Sequence, residues 1–188
     1  MPITTIAPNT ALIVIALQKG IVNLSTAQPI GEVVKRAAEL ADAFRRHSLP
    51  VVLVNVTGGA PGRTDQPPRM RGELPVGWAD LVSELNQQPQ DHTVTKRTWG
   101  AFTNTDLEAH LRKLGVTQVV IAGVSTSAGV ESTARHAHEL GFNVTLAVDA
   151  MTDMNPDAHA NSVTRIFPRL GESATTEEII ALLNKRTL

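Results

Sequence analysis

The chain predicts an α/β protein, a mainly parallel sheet with helices on both faces. Three observations carry that expectation. Continuous apolar runs such as "ALIVIAL" (11–17) and "PVVLVNV" (50–56) have the length and composition of strands covered on both faces. Segments with apolar residues at helical spacing, such as "GEVVKRAAELADAFRRH" (31–47), lie between them. The two patterns alternate, and strand–helix–strand units close as right-handed parallel crossovers.

Taken in order, the helix at 31–47 places basic residues in its last turn, where the terminal carbonyls favour cations. After the strand at 50–56 comes "TGGAPGRTDQPPRMRGELPVG" (57–77), rich in Gly and Pro and without periodicity. Loops of that length inside a compact fold are usually functional or mobile. "WADLVSEL" (78–85) predicts a short helix and "HTVTK" (92–96) a short strand. "TDLEAHLRKLG" (105–115) predicts a helix capped by Thr105 or Asp106 and stopped by Gly115.

"TQVVIAGV" (117–124) predicts a strand, and "GVESTARHAHELG" (129–141) a helix ended by Gly141. "FNVTLAVDA" (142–150) is a strand with Asp149 at its carboxyl end. Residues 155–171 predict a helix that Pro168 ends or kinks. "TTEEIIALLNKR" (175–186) closes the chain as a helix with a threonine cap and an acidic first turn. No linker, repeat or low-complexity tract interrupts the pattern, so residues 1–188 are expected to form one domain.

Composition narrows the function. The chain has 188 residues, 42% hydrophobic and 19% charged, with a formal net charge of −1, enough for a core without disulfide or metal staples. A near-neutral balance gives no electrostatic footprint for nucleic acid or an anionic membrane. No apolar run approaches the ~20 residues of a membrane span, and "MPITTIAPNT" has no signal-peptide pattern. A cytoplasmic protein is expected. The absence of cysteine excludes disulfides, thiolate metal sites and a cysteine nucleophile.

In an open parallel sheet, ligands bind beyond the carboxyl ends of the strands, at the switch in strand order. Ala16 to Gln18, Asn55 to Gly59, Lys96, Val124 to Gly129 and Asp149 to Asp153 stand at those ends. Lys96 read alone is as consistent with a solvated strand end, and Asp149 and Asp153 with caps or turns. Ser125, Thr126 and Ser127 lie in no G-x-S-x-G elbow, and their hydroxyls suit turn and cap bonds. His136 and His138 diverge on a helix, and the six histidines show no metal-ligand spacing. Neither a P-loop nor a dinucleotide fingerprint is present, so no metal and no cofactor are expected.

Two segments are more specific. "KRTWGAFTNTDL" (96–107) and "GVSTSAGVESTAR" (123–135), with "ALIVIALQKGIV" before them, resemble the isochorismatase-like hydrolases, the cysteine hydrolase superfamily, over about residues 11–183. The resemblance implies a three-layer, Rossmann-like α/β/α fold with a six-stranded parallel sheet. It also implies a triad of aspartate, lysine and cysteine, falling here at Ala16, Lys96 and Gly129. Members with glycine in place of the cysteine use the aspartate as a general acid on a vinyl ether, without a covalent intermediate. A non-proline cis peptide is implied at Val124–Ser125, with the N–H groups of Ser125 and Gly129 facing an oxyanion.

Position 16 departs from the family pattern, which reads I-D-x-Q where this chain reads "IALQ". Alanine cannot transfer a proton. It is what an inactivating substitution in a working hydrolase would leave. A natural non-catalytic binding or scaffolding member is a second reading, and a site using Asp65, Asp149 or Asp153 instead is a third. Substrate contacts are expected from Gln18, Asn55, Arg63, Arg69 and Arg71, whose guanidinium groups suit carboxylates, and from the flat faces of Trp78 and Trp99. The resemblance further implies a small-molecule substrate and a homo-oligomer, a dimer or tetramer.

Overall fold

The computed structural model of the chain describes residues 3–70 and 72–186. Six parallel strands form one sheet: β1 (Thr10–Ile15), β2 (Val51–Val56), β3 (His92–Lys96), β4 (Gln118–Val124), β5 (Asn143–Thr152) and β6 (Glu172–Ala174). Their order is β3-β2-β1-β4-β5-β6. The chain therefore runs outward from β1 in one direction and returns to start again on its other side at β4. Helix connections leave β1 and β4 toward opposite faces, which opens a crevice between their carboxyl ends.

The helices are α1 (Lys19–Val22), α2 (Ile30–Arg46), α3 (Leu107–Lys113), α4 (Glu131–Glu139), α5 (Pro156–Asn161) and α6 (Thr176–Asn184). Alternation along β1 divides the core. Leu12 and Val14 join Val33, Leu40, Phe44, Ile179 and Leu183 of α2 and α6 in one buried layer. Ile13 and Ile15 join Leu107, Leu111, Ala134 and Ala137 of α3 and α4 in the other. Every residue of β1 is buried, which is why its sequence reads as an unbroken apolar run rather than an alternating one.

Several predicted elements take a different form. Residues 78–85 form only a single 3-10 turn, Ser83–Leu85, because Trp78 and Ala79 serve as carbonyl acceptors for Gly20 and Asn55 instead of starting a helix. The helix predicted at 155–171 breaks into α5, a wide turn at Ser162–Ile166 and a 3-10 turn at Phe167–Arg169. Pro168 lies inside that last turn and supplies no N–H to continue the ladder. Thr175 caps α6 through a reciprocal capping box with Glu178, as its sequence implied. The short edge strand β6 and the four-residue α1 carry too little periodicity to be read in advance.

Gly123 fits the two central strands together. Its φ is +118°, and a Cβ there would stand 2.1 Å from the Ile15 carbonyl oxygen. The β4–β5 register shifts at this point. A glycine is required because no side chain can enter the gap between β1 and β4.

Candidate active site at the carboxyl ends of β1, β3 and β4

Ala16, the residue after β1, is 3% exposed and has φ +50°. Its N–H donates to the Val54 carbonyl of β2 at 2.8 Å, and its own carbonyl accepts from the Gln18 N–H at 2.9 Å. These bonds hold it in the left-handed region. That region disfavours alanine by roughly 1–2 kcal/mol, whereas aspartate and asparagine are several-fold enriched there among residues bearing a Cβ.

Lys96 ends β3 and is 4% exposed, which sets aside the reading of a solvated strand end. Its Nζ donates to the carbonyls of Trp99 at 2.7 Å and Thr98 at 3.0 Å. Among the described residues it pairs with no carboxylate. Burial without a counter-charge lowers its pKa from 10.5 to about 8, since the desolvated ammonium is disfavoured. Gly129 faces this amine. A Cβ built on Gly129 would stand 3.4 Å from Lys96 Nζ, 3.3 Å from the Trp99 carbonyl oxygen and 3.0 Å from Ile15 Cγ2. The fold thus gathers Ile15, Lys96 and Gly129 around one point, with Ala16 next in the chain to Ile15.

The segment after β4 is a wide turn, Thr126–Val130, leading into α4. The Val124–Ser125 peptide bond is cis. The Ser125 carbonyl accepts from the N–H groups of Ala128 and Val130. Among the described residues, the Ser125 N–H finds no acceptor. Asp153, at the end of β5, fastens the turn. Its carboxylate accepts from the Ser127 N–H at 2.8 Å, the Ser127 hydroxyl at 2.7 Å and the Asn155 N–H at 3.0 Å. Burial alone would raise its pKa, but the backbone N–H groups of Asn155 and Ser127 and the hydroxyls of Ser127 and Ser125 hold it below the usual aspartate value.

The two sequence motifs meet through Thr133, whose hydroxyl donates to the Gly129 carbonyl at 2.6 Å and accepts from the Ala101 N–H at 3.0 Å. Glu131 accepts from Arg135 one turn on, and from Ser162. The threonine and acidic positions of the motif are therefore devoted to joining α4 to its surroundings, which spacing alone does not reveal. Sequence reasoning also missed His159. Its Nδ1 lies 2.8 Å from the fully buried Thr126 hydroxyl. Burial lowers its pKa, and the charge of Asp153 partly offsets this. A histidine on an exposed-looking helix gave no signal of that contact.

The residues expected to touch substrate divide sharply. Gln18 is fully buried, and its amide is consumed by the backbone. Oε1 accepts from the Val56 N–H, and Nε2 donates to the Val56 and Trp78 carbonyls. It ties the β1 loop to β2 and is not a free ligand-binding group. Asn55 donates to the Ala79 carbonyl, while its buried Oδ1 has no partner among the described residues. Trp78 packs over Gly20, where a Cβ would strike its indole. Trp99 is 65% exposed, with its carbonyl turned in toward Lys96.

Among the charged residues, Arg69 reaches the Met154 sulfur at 3.1 Å from an exposed loop, and Arg63 and Asp65 are exposed. Arg71 lies outside the described residues. Asp149 accepts from the Thr176 N–H and hydroxyl and pairs with Arg36. Asp149 and Asp153 thus both have structural duties, as the cap-or-turn reading held. No helix among the described residues is long and apolar enough to cross a membrane.

A model of the isochorismatase domain matches residues 10–178. The chain belongs to the isochorismatase family. It is 44% identical to the uncharacterized isochorismatase family protein YwoC of Bacillus subtilis (strain 168), over 91% of this chain and 92% of that protein. It is 42% identical to the uncharacterized isochorismatase family protein YecD of Escherichia coli O157:H7, over 94% and 97% of the two chains. A solved structure of an isochorismatase family protein from Burkholderia thailandensis superposes with a TM-score of 0.92 at 42% identity, covering 96% of this chain and 98% of that one. The six-stranded α/β fold is the family's own.

Proposed function

We propose that this chain carries a thiol-independent hydrolase site from which the proton donor has been removed. With an aspartate at position 16, it would cleave a small anionic substrate such as a vinyl ether. The carboxylic acid at 16 would protonate the substrate, Lys96 would hold the resulting carboxylate, and water would add to the oxocarbenium carbon. Glycine at 129 supplies no nucleophile, so no covalent intermediate forms. The Ser125 N–H, without an acceptor among the described residues, offers a donor to negative charge developing nearby.

One observation carries the reading. Ala16 is held at φ +50°, a conformation in which aspartate is favoured over alanine. The test is the Ala16→Asp variant assayed against isochorismate, related enol ethers and small amides. Turnover of an enol ether by the variant, with little or none by the Ala16 chain, is the expected result. No turnover of any of them by a folded variant would remove the proposal.

A second reading, a non-catalytic binding or scaffolding member, draws support from a separate fact. Asp149, within β5, and Asp153, just after it, are committed to Thr176, Arg36, Ser127 and Asn155. On this reading Ala16→Asp stays inert while the chain remains a homo-oligomer by light scattering.

A further inference from the structure

Thr126 and His159 fix each other's hydrogens. Thr126 is fully buried, and among the described residues its hydroxyl meets one partner, His159 Nδ1 at 2.8 Å. A buried O–H left without an acceptor keeps the full penalty of its lost hydration, so this hydroxyl donates and Nδ1 accepts. An accepting Nδ1 carries no hydrogen, and in the neutral ring the proton then sits on Nε2. Nε2 lies 3.5 Å from the amide of Gln28, an exposed side chain that can turn its oxygen toward that N–H. A line of polar contacts thus runs from the turn after β4, through α5, to the loop before α2. That loop is also fastened to the end of β5, by the Ala27 N–H on the Asp153 carbonyl and the Gln28 N–H on the Thr152 hydroxyl.

A second proton on the ring is incompatible with this arrangement. With hydrogens on both nitrogens the contact survives only if Nδ1 donates to Oγ1, and the buried Thr126 O–H is left with no acceptor. We propose that neutral His159 is the positioning residue of the Thr126–Val130 turn, and that a proton taken up at Nδ1 loosens this turn, which holds Gly129 against Lys96. The charged groups on the surrounding elements are Asp153 after β5, Glu131 at the start of α4, Asp157 on α5 itself, Arg165 in the wide turn that follows, and Arg69 on Met154. Burial lowers the His159 pKa from the ordinary 6.5, and the Asp153 charge only partly offsets this. The lowered value agrees with the geometry.

The inference concerns the chain with Ala16 as it stands, and failure of Ala16→Asp to cleave an enol ether would leave it untouched. Nitrogen NMR of the native chain at pH 7 is expected to show His159 Nδ1 bare and Nε2 protonated. Amide exchange of Ala128 and Val130, whose N–H groups bond to the Ser125 carbonyl, reports on the turn. Corrected for the intrinsic exchange rate, their protection is expected to fall about tenfold from pH 7 to pH 4.5, the effect of stranding one buried hydroxyl. Asp153 is held below the usual aspartate value and stays ionised over that range. His159→Asn keeps an acceptor near the Nδ1 position without a ring that titrates, so its turn is expected to be equally protected at both pH values. A hydrogen on Nδ1 at pH 7 would overturn the proposal, and that measurement needs no variant. Unchanged protection in the native chain, or an equal fall in His159→Asn, would overturn it as well.

Discussion

Replacing Lys96 by methionine tests the electrostatics of the site without any assumption about substrate. In the folded chain the amine gives up its proton near pH 8 rather than 10.5. Between these values the unfolded chain binds more protons than the folded one, so the lysine's contribution to stability rises with pH across that window. Below about pH 8 the folded protein carries a desolvated ammonium. A fall of about 2.5 in pKa, at 1.36 kcal/mol for each, corresponds to a cost of about 3 kcal/mol. Methionine is similar in length and has no charge to desolvate, although it leaves the Thr98 and Trp99 carbonyls without their donor, a loss that does not depend on pH. The stability of Lys96→Met relative to the parent is therefore expected to fall by about 2–3 kcal/mol between pH 7 and pH 10. Urea unfolding of both proteins at pH 7, 8, 9 and 10 measures it. The chain has no tyrosine and no cysteine, so few other groups titrate there, and those that do cancel in the difference. A difference that stays constant from pH 7 to 10 would refute the claim that Lys96 is buried without a counter-charge.

Gly129→Cys would introduce the chain's single thiol beside Lys96, with Ile15 Cγ2 yielding a few tenths of an ångström from the 3.0 Å contact. That thiol is expected to titrate below the ordinary value of about 8.5, measured by thiolate absorbance; a value at or above it would contradict the placement of Lys96. Asp153→Ala removes the acceptor of the Ser127 and Asn155 N–H groups and should cost on the order of 3 kcal/mol at neutral pH. Because the Asp153 pKa is lowered on folding, its contribution is present above the ordinary aspartate range and is lost as pH falls through the folded value. The penalty should accordingly shrink in acid, as chemical denaturation at pH 7 and in strong acid would show. Gly123→Ala places a Cβ 2.1 Å from the Ile15 carbonyl oxygen and is expected to abolish folding or cost more than about 4 kcal/mol. Circular dichroism and thermal unfolding read that outcome, and a change below about 1 kcal/mol would mean that β1 and β4 can part freely.

Legibility of the sequence followed the physics of each element. β1 and β4 could be read because strands buried on both faces must be apolar throughout, and α2 because its buried Val33, Ala37, Leu40 and Phe44 recur at helical spacing. α6 announced itself through Thr175 and Glu178, whose capping bonds are local. Lys96 and Gly129 were named from the motifs, which preserve spacing. Gln18 was misjudged for a related reason. Its position beside the site suggests a ligand contact, yet its amide is taken up by Val56, thirty-eight residues away, a partner that no local pattern specifies.

The sequence alone determined the alternation of strands and helices, the absence of any thiol, and the replacement of an expected acid by Ala16, because each is a property of residue identity or local period. Only the tertiary structure decided that Lys96 is buried against two carbonyls, that Asp153 fastens the Ser125–Ser127 turn, and that Thr126 meets His159. Those contacts join β3, β4, β5 and α5. Their partners are brought together by strand order and register, which depend on how the whole sheet packs and are written in no single segment.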